Sequence, residues 1–133
     1  MTLGTASARE QARRWAIVVD SDPQMLSYLA RGLMFFQPSY RVASAADREH
    51  LVEWMAAQAY QVAVLGCLGG SRRDADAAAL LGPIPALVTL SCPHRDPGLT
   101  RPPRLSELLT AVRASTGRTD ITIDLTAVTE VSV

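Results

Sequence analysis

The first residues able to do chemistry stand where an apolar run stops: Trp15-Ala16-Ile17-Val18-Val19 leads straight into Asp20-Ser21-Asp22-Pro23. Two carboxylates so placed can hold a hard cation or serve phosphoryl transfer, and the carboxyl ends of parallel strands are where open α/β sheets put such sites. A second apolar run, Val62 to Leu65, ends at Gly66, which contributes no side chain. Cys67 follows Gly66 and Cys92 follows a later apolar run, so both thiols fall at the same edge of a parallel sheet. Cys67 as a nucleophile needs a cation to depress its pKa, and Arg101 is the evident candidate. His50 and His94 stand apart from other ligand-type residues, so neither a metal cluster nor a nucleophile–base pair can be built on them.

Composition narrows the classes. With 133 residues, 48% hydrophobic and 20% charged, the chain is long enough for one compact domain with its own core. Thirteen basic residues balance thirteen acidic ones without a long block of either sign, so the footprint of a nucleic-acid binder is missing. All thirteen bases are arginine, which removes lysine-dependent chemistry such as Schiff bases. No apolar run approaches the ~20 residues of a membrane helix, and no signal peptide opens the chain. The expectation is a cytoplasmic protein with reduced thiols and no membrane partner.

These residues need elements to position them. After a polar, Ala/Arg-rich lead-in over 1–14, Ala16 to Val19 reads as a strand buried on both faces. Asp22 caps a helix with Pro23 at its first position and Met25, Leu26, Leu29, Leu33 and Phe36 at helical spacing. Tyr40 to Ala43 reads as a second strand, and Asp47 as the cap of a helix whose buried stripe is Leu51, Val52 and Met55. Gln61 to Leu65 is a third strand, followed by the Gly69-Gly70 turn and an alanine-rich helix over Asp74 to Leu81 that Gly82-Pro83 ends. Ala86 to Leu90 is a fourth strand, and Leu105 to Ala114 a helix with Leu105, Leu108, Leu109 and Val112 on its apolar face. The alternation implies parallel strands joined by right-handed crossovers. In the tail, Ile121, Ile123 and Leu125 alternate with Thr122, Asp124 and Thr126, the period of a half-buried strand.

Taken together, this pattern over about residues 14 to 114 resembles a bacterial response-regulator receiver domain. The resemblance rests on the acidic cluster Asp20-Ser21-Asp22, the third run ending at residue 66, and Leu99-Thr100-Arg101-Pro102-Pro103 before Leu105-Ser106-Glu107-Leu108-Leu109. It implies a flavodoxin-like, doubly wound parallel sheet of about five strands. It also implies a pocket in which acidic residues and an acceptor aspartate hold Mg²⁺, with a hydroxyl after the fourth strand and a Lys-Pro after the fifth. The pocket is degenerate here. Gly66 stands at the acceptor position, Ser21 at the second acid and Arg101 at the lysine, and the hydroxyl position falls on Thr89, Leu90 or Ser91, with Leu90 indicated by Pro85.

Only about ten residues, including Pro93, Pro97 and Gly98, lie between Ser91 and Arg101, too few for the usual crossover helix. Either the fourth helix is lost, or the fifth strand is degraded to an extended segment near Leu99-Thr100. The expected organisation is a lead-in over 1–14, a receiver-like domain over 15–114 and a strand-like extension over 115–133 that adds to an edge of its own sheet or of a second copy.

Three functions are open to such a chain. The first is a stand-alone, non-catalytic pseudo-receiver that signals by binding another protein without phosphorylation and without a cofactor, through the Pro93 to Arg104 loop or the terminal strand. The second is an assembly component that forms homodimers through its tail. The third is a phosphatase, because Asp20-Ser21-Asp22 also has the Asp-x-Asp spacing of the haloacid-dehalogenase type. There, however, Pro23-Gln24 replaces the expected Gly-Thr, and the chain has no lysine at all.

Overall fold

The structure, a computed structural model, describes residues 15–36, 40–91 and 103–125. Five parallel strands, β1 (Trp15–Val19), β2 (Arg41–Ala45), β3 (Val62–Leu65), β4 (Ala86–Ser91) and β5 (Ile121–Asp124), form one sheet in the order β2-β1-β3-β4-β5. Among the described residues four helices flank it: α1 (Pro23–Phe36), α2 (Arg48–Ala57), α3 (Ser71–Leu80) and α4 (Leu105–Ala114). This is the flavodoxin-like architecture that the sequence pattern implies. Every side chain of β3 is buried, and so is all of β1 after Trp15. Continuous apolar strands are what a sheet covered on both faces demands.

Two cores result. On one face Ala16, Val18, Val64 and Val88 pack with Leu29 and Leu33 of α1 and with Leu108, Ala111 and Val112 of α4. On the other, Ile17, Val19, Ala63 and Leu65 meet Leu51 of α2 and Ala77 of α3. The stripe expected on α2 needs correction at Val52, which is 38% exposed, while Trp54 and Met55 pack against this second core. Trp54 lies 6.1 Å from the Trp15 ring and donates its indole N–H to the Ser44 carbonyl, so its polar end is satisfied at the rim.

The segment read as an extension is part of the sheet. β5 pairs with β4 in parallel, Val88 opposite Ile121 and Ser91 opposite Asp124, and Ile123 and Leu125 turn into the core. The expected alternation is therefore seen, with the strand added to an edge of the chain's own sheet. The alternative fifth strand near Leu99-Thr100 lies outside the described residues.

The expectation of uniformly right-handed crossovers is overturned at this edge. The step from β1 to β2 runs in one direction across the sheet and the step from β4 to β5 in the other, yet α1 and α4 cover the same face. Steps in opposite directions over one face have opposite hands, so the placement of α4 gives β4-α4-β5 the reverse hand of the other three units. The hand rule belongs to short connections that pack directly back on the sheet. Here residues 92–104 separate β4 from α4, which is longer than such a connection. What holds α4 on the α1 face is packing: a Cβ on Gly32 of α1 would lie 2.8 Å from Leu105 Cδ2 and 3.4 Å from Leu108 Cδ2. The Tyr28 hydroxyl on α1 also donates to the Pro103 carbonyl at 2.6 Å. After α4, Gly117 takes φ 70°, a left-handed conformation suited to glycine, and the Arg118 carbonyl accepts the Leu87 N–H as the chain turns into β5.

Candidate functional site

Asp20, Ser21, Asp22 and Gly66 meet at the carboxyl ends of β1 and β3, held there by backbone bonds between neighbouring strands. The Asp20 N–H donates to the Ala45 carbonyl at 3.1 Å, and the Gly66 N–H donates to the Val19 carbonyl at 2.7 Å. Ser21 donates twice to the Cys67 carbonyl, from its N–H at 2.8 Å and from its hydroxyl at 3.0 Å. Asp22 caps α1 as expected: its Oδ1 accepts the Gln24 N–H at 3.0 Å, and its carbonyl accepts the Leu26 N–H.

Asp20 points inward, only 4% exposed. Its Oδ1 accepts the Asp22 N–H at 2.8 Å and its Oδ2 accepts the Cys67 N–H at 3.1 Å. The carboxylate thereby bridges the β1–α1 connection and the β3–α3 connection. It can do so because residue 66 is glycine: a Cβ there would overlap Asp20 Oδ2, lie 2.9 Å from Asp20 Cγ and 3.1 Å from the Val19 carbonyl. The space of the missing side chain is filled by the carboxylate of its neighbour across the strands.

Burial pushes the Asp20 carboxyl above its ordinary value, the two backbone N–H groups pull it back, and the charges of Asp22 and Asp74 push it up again. Asp74 is the contributor that the sequence pattern missed. It lies in the first turn of α3, which starts at Ser71 rather than at Asp74, and its Oδ1 accepts the Leu68 N–H at 2.6 Å. An acidic residue just after the Gly69-Gly70 turn was the available signal.

Among the described residues no group of three His, Cys, Asp or Glu side chains is placed to hold a metal ion. Both Asp20 oxygens are engaged by amides, Asp22 Oδ1 by the α1 cap, the Ser21 hydroxyl by Cys67, and residue 66 has no oxygen-bearing side chain. Arg101 lies outside the described residues, as do Cys92, His94 and the Pro93 to Pro102 stretch; in chain order Arg101 precedes α4 and β5. Among the three positions for a hydroxyl, Leu90 sits in the core under α1 and α4, and Thr89, half-buried, lies opposite Leu65. Cys67 is partly exposed and enters the site through its main chain. His50 stands away from the site, its Nδ1 3.0 Å from the Asp47 carboxylate that caps α2.

Beyond the site, a groove of about 510 Å³ runs beside α1, lined by Tyr28, Arg31, Gly32, Phe35 and Leu105 among others. Met34 and Phe35 are 45% and 76% exposed. No helix among the described residues is long and apolar enough to cross a membrane.

The fold is CheY-like. A response regulator from Burkholderia pseudomallei, solved with a phosphorylated aspartic acid, calcium and citrate, superposes with a TM-score of 0.55 over 84% of this chain at 19% identity. A CheY-like response regulator receiver domain protein from Methanospirillum hungatei superposes with a TM-score of 0.53, also over 84% of this chain, at 15% identity. The chain spans 59% of the first neighbour and 80% of the second. No protein-family model and no curated protein matches the chain.

Proposed function

We infer that this chain is a receiver-like signalling module that acts by contact with another protein and is not phosphorylated. One observation carries the reading: the place of an acceptor side chain is occupied by the Asp20 carboxylate, wedged over Gly66 and bonded to two main-chain amides. Neither group is then a competent phosphoryl acceptor. Gly66 has no nucleophile, and Asp20 is buried with both oxygens engaged. Phosphoryl transfer also needs charge neutralisation at the transferred group, which carboxylates committed to amides do not organise through a metal. The module is accordingly non-catalytic and holds one conformation, so regulation falls to its abundance or to its partner. The exposed Met34 and Phe35 on α1 are in keeping with a role at a protein surface.

The test is incubation of the full chain with acetyl phosphate and Mg²⁺, followed by intact mass and melting temperature. Unchanged mass and melting are expected; an added phosphoryl group that hydroxylamine removes would sink the reading.

The position of β5 favours a second reading, self-association. It is the edge strand of the sheet, and an edge can take a further strand. Light scattering of the full chain over a range of concentrations separates the readings: a dimer supports self-association through this edge, and a monomer throughout removes it.

A further inference from the structure

A buried carboxylate held by amides from two different connections has the form of a bound oxyanion in a backbone cradle, except that this anion is tethered to β1. The donors do not depend on it for their placement. Ser21 ties the two connections together through the Cys67 carbonyl, and the Gly66 and Asp20 N–H groups are fixed to Val19 and Ala45. None of these bonds uses the Asp20 carboxylate. Gly66 leaves the volume open from below, and the charges of Asp22 and Asp74 act on whatever anion sits there.

We propose that Asp20 is a tethered ligand in an oxyanion cradle made by the Asp22 and Cys67 N–H groups, and that the cradle freed of its tether binds a small monovalent carboxylate. This rests on the reading of the pocket as unphosphorylated and says what replaces phosphorylation: the chain supplies its own carboxyl group, covalently tethered, so the β1–α1 and β3–α3 connections stay clasped. The ligand class follows from the surroundings. Two amide donors suit one pair of carboxylate oxygens, and two neighbouring carboxylates disfavour the second charge of a phosphate dianion. Asp20→Ala removes one carboxylate group and leaves its Cβ, a vacancy of the size of formate.

The experiment follows the melting temperature of the full-length wild type, Asp20→Ala and Asp20→Asn in sodium formate and in sodium chloride of equal ionic strength. Asp20→Ala melts below wild type, and formate restores it saturably, recovering more than about half of the loss when the site is filled. Wild type and Asp20→Asn, whose cradles are full, respond to formate no more than to chloride, and phosphate does not replace formate. A formate response of Asp20→Ala equal to that of wild type, or a larger response to phosphate, overturns the proposal. Should Asp20→Ala not fold, the wild type is read instead by NMR. The Asp22 and Cys67 amide protons then titrate with one midpoint, that of the Asp20 carboxyl carbon; separate midpoints or none overturn the proposal. Phosphorylation by acetyl phosphate with formate rescue intact would remove the functional reading alone, whereas no rescue in a chain that takes no phosphate would remove the cradle alone.

Discussion

Gly66→Ala is the substitution to which the site should be most sensitive. The added methyl overlaps Asp20 Oδ2 and presses on the Val19 carbonyl at 3.1 Å, so the carboxylate must swing away and the Cys67 N–H loses its acceptor. A hydrogen bond to a charged group contributes about 1.5–3 kcal/mol. Against this, replacing glycine reduces the freedom of the unfolded chain and returns about 0.4–1 kcal/mol. Gly66 is not in the left-handed region, so backbone strain does not add to the loss. The net expectation is a destabilisation of about 0.5–2.6 kcal/mol, or a fall in melting temperature of roughly 2–10 °C for a domain of this size. A double-mutant cycle isolates the cause. In an Asp20→Ala background the methyl meets no carboxylate, and Gly66→Ala should then be within about 0.5 kcal/mol of neutral by urea denaturation. The reasoning fails if Gly66→Ala costs less than about 0.5 kcal/mol in the wild-type background, or costs the same in both.

Other perturbations test the remaining parts of the structure. Because burial holds the folded Asp20 carboxyl above its ordinary value, its contribution to stability is full below that value and is lost as pH rises through the folded one. The stability of wild type relative to Asp20→Asn, measured by urea denaturation, should therefore decline as pH rises above the ordinary aspartate value of about 3.9; a rise would reverse the assigned shift. Asp47 and Asp120 are shifted down by the His50 amide and by Arg118, so their contributions are present at neutral pH and fade as pH falls through their folded values in both proteins. Leu125→Ala should cost about 2–5 kcal/mol in urea, since Leu125 is fully buried; a cost under about 0.5 kcal/mol would show that β5 is not part of the core. Tyr28→Phe removes the bond to Pro103 and should cost about 1 kcal/mol by the same measurement.

Much of the fold was legible because local signals agree with the tertiary solution. The apolar runs of β1 and β3 could be read as fully buried strands, Asp22 and Asp47 do cap their helices, and Ile121, Ile123 and Leu125 alternate as a half-buried strand must. The path from β4 to β5 was not legible, because nothing local records which face a helix covers. The Leu108, Ala111 and Val112 stripe is apolar in the same way against either face. What decides is a close approach to Gly32 and a hydroxyl reaching Pro103, contacts between residues some 75 apart in sequence. In the site, the identities of Asp20, Ser21, Asp22 and Gly66 were readable and so was their convergence. That Asp20 turns inward to fill the gap at residue 66 was not, since a sequence shows a missing side chain but not which neighbour takes its volume.

The two departures from a receiver-like arrangement act on opposite halves of one edge. At β1 and β3 the pocket is closed from within by Asp20 over Gly66. At β4 and β5 the sheet is completed by a strand that arrives after α4, through a unit of reversed hand. A phosphorylation switch needs both halves to respond to one event, the first by accepting a phosphoryl group and the second by shifting with it. On the function proposed above, the first half is filled by the Asp20 carboxyl group, and the second is anchored by Ile123 and Leu125 in the α1–α4 core. A ligand shifts an equilibrium only by its differential affinity for two states, and on that proposal a site filled by its own chain offers an incoming anion none.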